Sequence, residues 1–264
     1  MTTTGLITKM ITEHTSPIQY YLKMGEEMIS VNEWLGKKIK IRFNHYQCLE
    51  CGQEKEIYTM GHCKNCYFSS PYTGQWIIKP ELCTAHLGKE DRNLEIEALM
   101  QFQPHIVYLA NSGGIKVGVT RKSQIPTRWI DQGAEYALPL AETANRYEAG
   151  AIEVALKQHL ADKTNYRKML SGQVPFEDLA LKKKEIHNFI PEELQHYILK
   201  EEEIVRLEYP VHQYPTKINS VNLKKTSTFE GVLTGIKGQY LIFNNNFVFN
   251  VRSHEGFVVD WEVY

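Results

Sequence analysis

Residues 105–134 read HIVYLANSGGIKVGVTRKSQIPTRWIDQGA, and the turn signals inside this stretch set the topology of the chain's centre. His105 to Ala110 is a short apolar run and Ile115 to Thr120 is a second. Between them Asn111-Ser112-Gly113-Gly114 offers residues that tolerate positive φ, so the spacing predicts a β-hairpin. Pro126 suits the first turn of a short helix through Gln132, and Gly133 ends it. Ala134 to Leu140 predicts a third strand, and Asn145 to Leu160 has the length and periodicity of a helix. The predicted order is ββαβα.

Outward from this centre the pattern changes. Gly5 to Thr12 and Lys37 to Phe43 are strand candidates, the latter alternating Ile39 and Ile41 with Lys38, Lys40 and Arg42. Gly231 to Ile236, Tyr240 to Phe243 and Phe247 to Val251 are strand candidates near the other end, with Asn244 to Asn246 as a turn. The two β-rich ends are expected to form one small barrel-like module with the central parts inserted. A helical stretch is predicted from about Pro175 to Leu207, broken near Pro191, with its charge runs Lys182 to Lys184 and Glu201 to Glu203 as solvated faces. Ser69 to Pro80, containing Gly and Pro, is a candidate linker. The expected class is therefore α+β. Its segments are a β-rich 1–45, a metal-binding ribbon and linker at 46–80, the ββαβα domain at 100–170, a helical 171–210 and a β-rich 215–264.

Composition narrows the function classes. With 42% hydrophobic and 23% charged residues in 264, the chain is an ordinary folded protein rather than a disordered or fibrous one. A net charge of −1 excludes coating nucleic acid by bulk electrostatics, so any phosphate contact must be local. Met1 to Ser16 lacks the apolar run of a secretory signal, and no segment reaches the ~20 apolar residues of a membrane span. A cytoplasmic protein without a membrane partner is expected.

Five cysteines without a secretory signal point to metal ligation rather than disulfides. Cys48 and Cys51 form one C-x2-C pair and Cys63 and Cys66 another. Two such knuckles, loosened by Gly52 and Gly61, direct four thiolates at one ion and leave no position open for substrate, which makes a zinc site structural. An iron–sulfur or redox dithiol site is the alternative. Cys83 and His86, spaced C-x2-H, are either half of a second site or a buried thiol beside a surface histidine.

The centre carries Val107-Tyr108 on its first strand, Lys116-Val117-Gly118-Val119-Thr120 on its second, Arg128 on the first helix and Glu153 on the next. Together these resemble the core of the GIY-YIG nuclease superfamily. The resemblance implies that Tyr108 positions or activates an attacking water, that Arg128 neutralises the scissile phosphate, and that Glu153 holds Mg²⁺ or Mn²⁺. It extends no further than residues 100–170. Lys116 stands where the second motif has a tyrosine and would contact phosphate, while Asp131 and Gln132 occupy the place of a histidine one turn after Arg128. Glu148 is the rival carboxylate, and the helix of Glu153 runs on to Asp162, Thr164 and Asn165. Gly118, Thr120, Arg121, Lys122, Trp129 and Arg146 are the candidate nucleic-acid contacts. Further phrases, Thr127 to Ala134, Asn145-Arg146 and Gly235 to Tyr240, resemble an uncharacterised bacterial family known as a domain of unknown function. That likeness extends over nearly the whole chain and implies architecture, not activity.

Three function classes follow. One is a metal-dependent phosphodiesterase cutting DNA or RNA, with the ribbon and terminal β modules selecting substrate. A second is a nucleic-acid-binding protein that keeps the fold without cleavage. A scaffold protein with no nucleic-acid role is the third.

Overall fold

The structure, a computed structural model, describes residues 2–160, 165–172, 174–200 and 203–264. It divides into two compact units, one comprising Ser70–Met169 and Gln173–Arg206, the other Met1–Ser69, Leu170–Gly172 and Leu207–Tyr264.

The first of these contains helix α1 (Leu94–Gln101), strands β1 (His105–Asn111) and β2 (Ile115–Arg121), helix α2 (Thr127–Asp131), strand β3 (Tyr136–Thr143), helices α3 (Arg146–Lys157) and α4 (Leu179–Ile186), and the short strand β4 (Val205–Arg206). The order from β1 to α3 is ββαβα. Gly113 and Gly114 at φ 89° and 138° make the hairpin turn, and the Asn111 carboxamide accepts from the Gly114 N–H at 3.0 Å. The α3 helix starts where the Asn145 side chain accepts from the Glu148 N–H, a satisfied cap.

The sheet order is β4-β3-β1-β2, all antiparallel. Opposed residues of an antiparallel pair share a face. Val107, Leu109, Val117 and Val119 therefore lie on one side, where Ala149, Ile152 and Leu156 of α3 and Leu179 and Ile186 of α4 complete an apolar core. Tyr108, Lys116, Gly118 and Thr120 share the other side, because Tyr108 is opposite Gly118 and Ala110 opposite Lys116.

Three expectations are corrected in this unit. Residues 70–80 are not a linker: they fold into 3-10 turns with Trp76 and Pro80 buried. Arg146 fastens them by donating to the carbonyls of Trp76 and Ile77 at 3.2 and 2.7 Å. The stretch 175–207 is not a long helix. After α4 it passes through 3-10 turns at His187–Phe189 and Glu192–Tyr197, because Ile190 before Pro191 is forced extended, and it ends in β4. Lys183 is no solvated charge: it is buried and donates to the Leu199 carbonyl at 2.6 Å. Glu201 and Glu202, like Asp162 and Thr164, lie outside the described residues.

Gly150 shows how closely residues 80–81 approach α3. A Cβ there would lie 2.4 Å from the Glu81 nitrogen and 2.6 Å from the Pro80 carbonyl carbon, both backbone atoms. Alanine at a mid-helix glycine ordinarily stabilises by about 1 kcal/mol. Here the overlap reverses the sign, and Gly150→Ala is expected to destabilise by about 1–3 kcal/mol, read as a lowered urea midpoint at unchanged m-value. An unchanged or raised midpoint would show that the approach is not as tight as described.

In the other unit the two chain ends do share one sheet. Its strand order is Thr2–Leu6, Phe257–Val263, Lys38–Tyr46, Thr228–Lys237, Tyr240–Phe243, Phe247–Asn250, Asn219–Ser220. The barrel-like expectation fails: the first and last strands do not pair, and the sheet is open. Trp34, Ile39, Ile41, Phe249 and Trp261 are buried in its core, with Trp34 and Trp261 ring centroids 5.5 Å apart. Across its charged face Lys40 pairs with Glu262 and Arg42 with Asp260, where Thr4 and Asn44 also donate. Those bonds hold the Asp260 carboxyl down at about 2. A three-stranded sheet, Ile11–Glu13, Gln19–Met24 and Glu27–Ser30, and the hairpin Ile57–Thr59/His62–Cys63 complete the unit.

Candidate functional site

Cys48, Cys51, Cys63 and Cys66 come together in the second unit, their four sulfurs all within 4.8 Å of one another. Sulfurs about 2.3 Å from one ion at tetrahedral angles would be roughly 3.8 Å apart, so the set needs only a small contraction to bind zinc. The hairpin supplies the second knuckle through Cys63, and the first closes through a bond from the Gly52 N–H to the Cys48 carbonyl at 2.9 Å. The Cys63 N–H donates to the Cys48 sulfur at 3.3 Å. Burial works to raise the Cys48 thiol, but the N–H groups of Cys51, Cys63 and Glu50 bring it down to about 6. Burial and the neighbouring sulfurs push Cys66 up to about 12, as crowded thiols demand until a cation shares their charge. Among the described residues this is the only group of three or more such ligands.

Cys83 is buried and its thiol is pushed up to about 12, chiefly by that burial. His86 is exposed and stacks on Tyr147 with ring centroids 4.2 Å apart. The pair reads as a core thiol beside a surface histidine.

In the first unit Tyr108 is fully buried, packs edge-on against Trp129, and donates its hydroxyl to the Gln132 carboxamide oxygen at 2.8 Å. Burial raises its pKa, while the charge and hydrogen bonding of Arg128 oppose that rise and the charge of Glu153 adds to it. The guanidinium from α2 and the carboxylate from α3 thus both act on the phenol from β1. Glu153 is 7% exposed, with Lys157 one turn on at 3.3 Å. Burial raises its pKa against the charges of Lys157 and Arg146. Its rival Glu148 instead faces the Tyr197 hydroxyl, whose pKa it helps to raise after burial. Gly118 leaves room for the tyrosine: a Cβ there would lie 2.6 Å from the Tyr108 oxygen.

The other candidates divide by burial. Lys116 and Thr120 are buried on the Tyr108 side of the sheet, and Thr120 donates to Gln124. Arg121 is partly exposed, and Lys122 is exposed and paired with Glu142 at 2.8 Å. Trp129, only 1% exposed, offers no face for a stacked base. Arg146 spends its donors on the Trp76 and Ile77 carbonyls, so its first task is structural. Sequence reasoning left Gln132 without a role, though its place one helical turn after Arg128 was the available signal.

His105 also went unremarked. It is fully buried, its Nδ1 lies 2.7 Å from the Gln103 carbonyl, and burial, reinforced by the charges of Arg146 and Arg121, pushes it down to about 4. Since the folded pKa is depressed, the unfolded chain takes up a proton first as pH falls. Stability is full above about 6.5, declines between 6.5 and 4, and levels off below, with a loss of about 3 kcal/mol. Urea unfolding at pH 7, 5 and 4 should show a shallower decline for His105→Leu than for the wild type, and parallel declines would remove His105 as the cause.

No helix among the described residues is long and apolar enough to cross a membrane. A family model described as "Protein of unknown function (DUF2797)" matches residues 36–259, a span that includes the four cysteines, Tyr108, Arg128 and Glu153. No curated protein and no solved structure matches the chain.

Proposed function

We propose that this chain, which belongs to the DUF2797 family of proteins of unknown function, is a metal-dependent phosphodiesterase acting on DNA or RNA, with a divergent GIY-YIG-like centre. The observation that supports this reading is that the buried Tyr108 hydroxyl, bonded to Gln132 at 2.8 Å, is hydrogen-bonded by Arg128 and feels the charge of Glu153. Phosphodiester cleavage needs these types: a donor fork for phosphate oxygens, a carboxylate for a divalent ion, and a group that orients water. Glu153 would offer such an ion a carboxylate, with the charge of Glu81 also felt there, since Mg²⁺ and Mn²⁺ commonly take one or two carboxylates and complete their shell with water and phosphate oxygens. Bound there, the ion supplies Lewis-acid stabilisation of the phosphate.

The chain's own groups do the rest. With its pKa raised, Tyr108 stays a neutral phenol at pH 7; it donates a hydrogen bond to Gln132 and accepts one from Arg128, which leaves one lone pair on its oxygen to orient a water in this reading. It positions rather than deprotonates. Arg128 stands beside it to pair with the phosphate oxygens. The zinc of the four-cysteine cluster is structural in this reading.

One observation favours the second reading, a binding protein without cleavage. The partner of Tyr108 is an amide, which cannot take up a proton as a histidine would. The two readings separate when purified protein is incubated with single-stranded, duplex and branched DNA and structured RNA, with Mn²⁺ or with EDTA. Cleavage that needs Mn²⁺ and vanishes in Glu153→Gln is expected. Binding that survives Glu153→Gln without cleavage by the wild type supports the second reading, and neither binding nor cleavage sinks both.

A further inference from the structure

The hairpin that carries Cys63 borders a cavity of about 270 Å³ that the four cysteines do not use. Its walls include Tyr58, Met60, Lys224, Arg252, Glu255 and Phe257, all within the second unit. The volume falls just under the ~300 Å³ at which pockets for whole small molecules begin, so it suits one planar ring system. The lining suits such a ring as well. Tyr58 gives exposed aromatic surface, the buried Phe257 ring closes the inner end, and Lys224, Arg252 and Glu255 give both donors and an acceptor.

The polar groups are held, not loose. The Lys224 ammonium donates to the Ile57 carbonyl at 2.9 Å and lies 6.0 Å from the Phe257 ring centroid, with Glu56 at 3.8 Å outside. One of its three N–H donors is thereby used by the backbone. Arg252 lies 3.7 Å from Glu255, whose side chain is 11% exposed. A carboxylate and two cations in the lining can meet the edge of a nucleobase, which offers both donors and acceptors. Met60, at the tip of the hairpin, has φ 52°, a left-handed conformation that a non-glycine side chain adopts at a cost.

The surface beyond the cavity continues the pattern. Tyr58, 54% exposed, forms a cluster with Tyr67 and Phe68, ring centroids 5.2 to 5.7 Å apart, and Phe68 is 57% exposed. Exposed rings beside cations are the features by which single-stranded nucleic acid is held without base pairing. Lys64 and Lys225, both exposed, lie on the same segments, where the exposed Glu50, Glu54 and Glu56 balance their charge, so the rings rather than a net positive field carry the contact.

We propose that the cysteine ribbon and its cavity form a binding site for single-stranded nucleic acid, one base entering beside Lys224, Arg252 and Phe257 and its neighbours stacking on Tyr58 and Phe68. This rests on the reading of the protein as one that handles nucleic acid, and it names the strand form taken.

The test uses the full chain with zinc bound and no added Mg²⁺ or Mn²⁺. Fluorescence anisotropy is read with labelled homopolymeric DNA and RNA of roughly 12 nucleotides, within the usual span of such sites, and with a blunt duplex. Tyr58→Ala and Phe68→Ala are each expected to weaken single-strand binding about tenfold, Tyr58→Phe to restore it, and Lys224→Ala to flatten the salt dependence. Zinc content, measured on every variant, separates lost rings from a lost fold. Wild-type affinity in the zinc-replete Tyr58→Ala/Phe68→Ala double variant overturns the site, as does binding of duplex alone or of no nucleic acid. If cleavage of duplex nonetheless depends on Glu153, the site falls and the phosphodiesterase stands. If binding depends on the rings and no cleavage occurs, the site stands and the phosphodiesterase falls.

Discussion

Glu153→Gln is expected to lower the Mn²⁺-supported cleavage rate by about a thousandfold or more, and Arg128→Ala by about a hundred- to a thousandfold. The glutamine keeps the volume of the side chain and removes its charge, so a divalent ion loses the one carboxylate assigned to it. Burial already works against the Glu153 charge, and a neutral amide in that place lifts that penalty. Lys157, 3.3 Å away and about a quarter exposed, keeps access to water, so breaking this largely buried pair is expected to cost about 1–3 kcal/mol. A variant that stays folded with a urea midpoint lowered by no more than this, alongside lost cleavage, therefore assigns the loss to chemistry. Arg128→Lys separates charge from geometry: if the planar fork matters, lysine recovers only part of the rate. A Glu153→Gln variant that cleaves at the wild-type rate would remove Glu153 from the reaction, and with it the argument for a divalent ion in this unit.

The parts of this arrangement that were legible in the sequence are those with a periodic or punctuated signal. The hairpin of β1 and β2 announces itself through the Gly113-Gly114 turn, and α3 through Asn145 and its apolar spacing. The cysteine pairs were legible by spacing alone. Residues 70–87 were not, because 3-10 turns carry no hydrophobic period, and their burial depends on Trp76, Pro80 and the distant Arg146. The strand Phe257–Val263 was missed for a different reason. It lies between two others in the sheet and is buried on both faces, apart from Glu262, so alternation is lost, and its Asp260 looks like a loop residue until Arg42, Asn44 and Thr4 are brought to it. Residue type misled where burial decides: Trp129 and Arg146 resemble nucleic-acid contacts by chemistry, and both are taken up by internal packing. The exposed rings of Tyr58 and Phe68, which sequence alone could not separate from core aromatics, are the opposite case.

One zinc per chain is expected, and its loss is expected to have the largest effect on stability of any single change. Structural zinc contributes on the order of 10–16 kcal/mol in isolated finger peptides. In this chain the effect should be large but local, since the ribbon is also tied down by backbone bonds. Leu49 donates to the Gly61 carbonyl at 2.9 Å and Gln47 to the Gly256 carbonyl at 2.8 Å. Cys63→Ser, at a buried position on the hairpin, should abolish binding and expose residues 48–66 to proteolysis and rapid hydrogen exchange. The sheet that contains Trp34 and Trp261 should keep slow exchange at its centre. Cys83→Ser, changing the thiol outside the cluster, should retain a full equivalent of zinc. Acid should release the metal as the thiolates take up protons. Metal analysis of protein purified under reducing conditions decides between the two chemistries the ligand set allows. Stoichiometric zinc with no visible absorption supports the structural site, whereas iron with sulfide and a visible chromophore would assign a cluster that carries electrons, and the ribbon would then have to be read as a redox element rather than a brace.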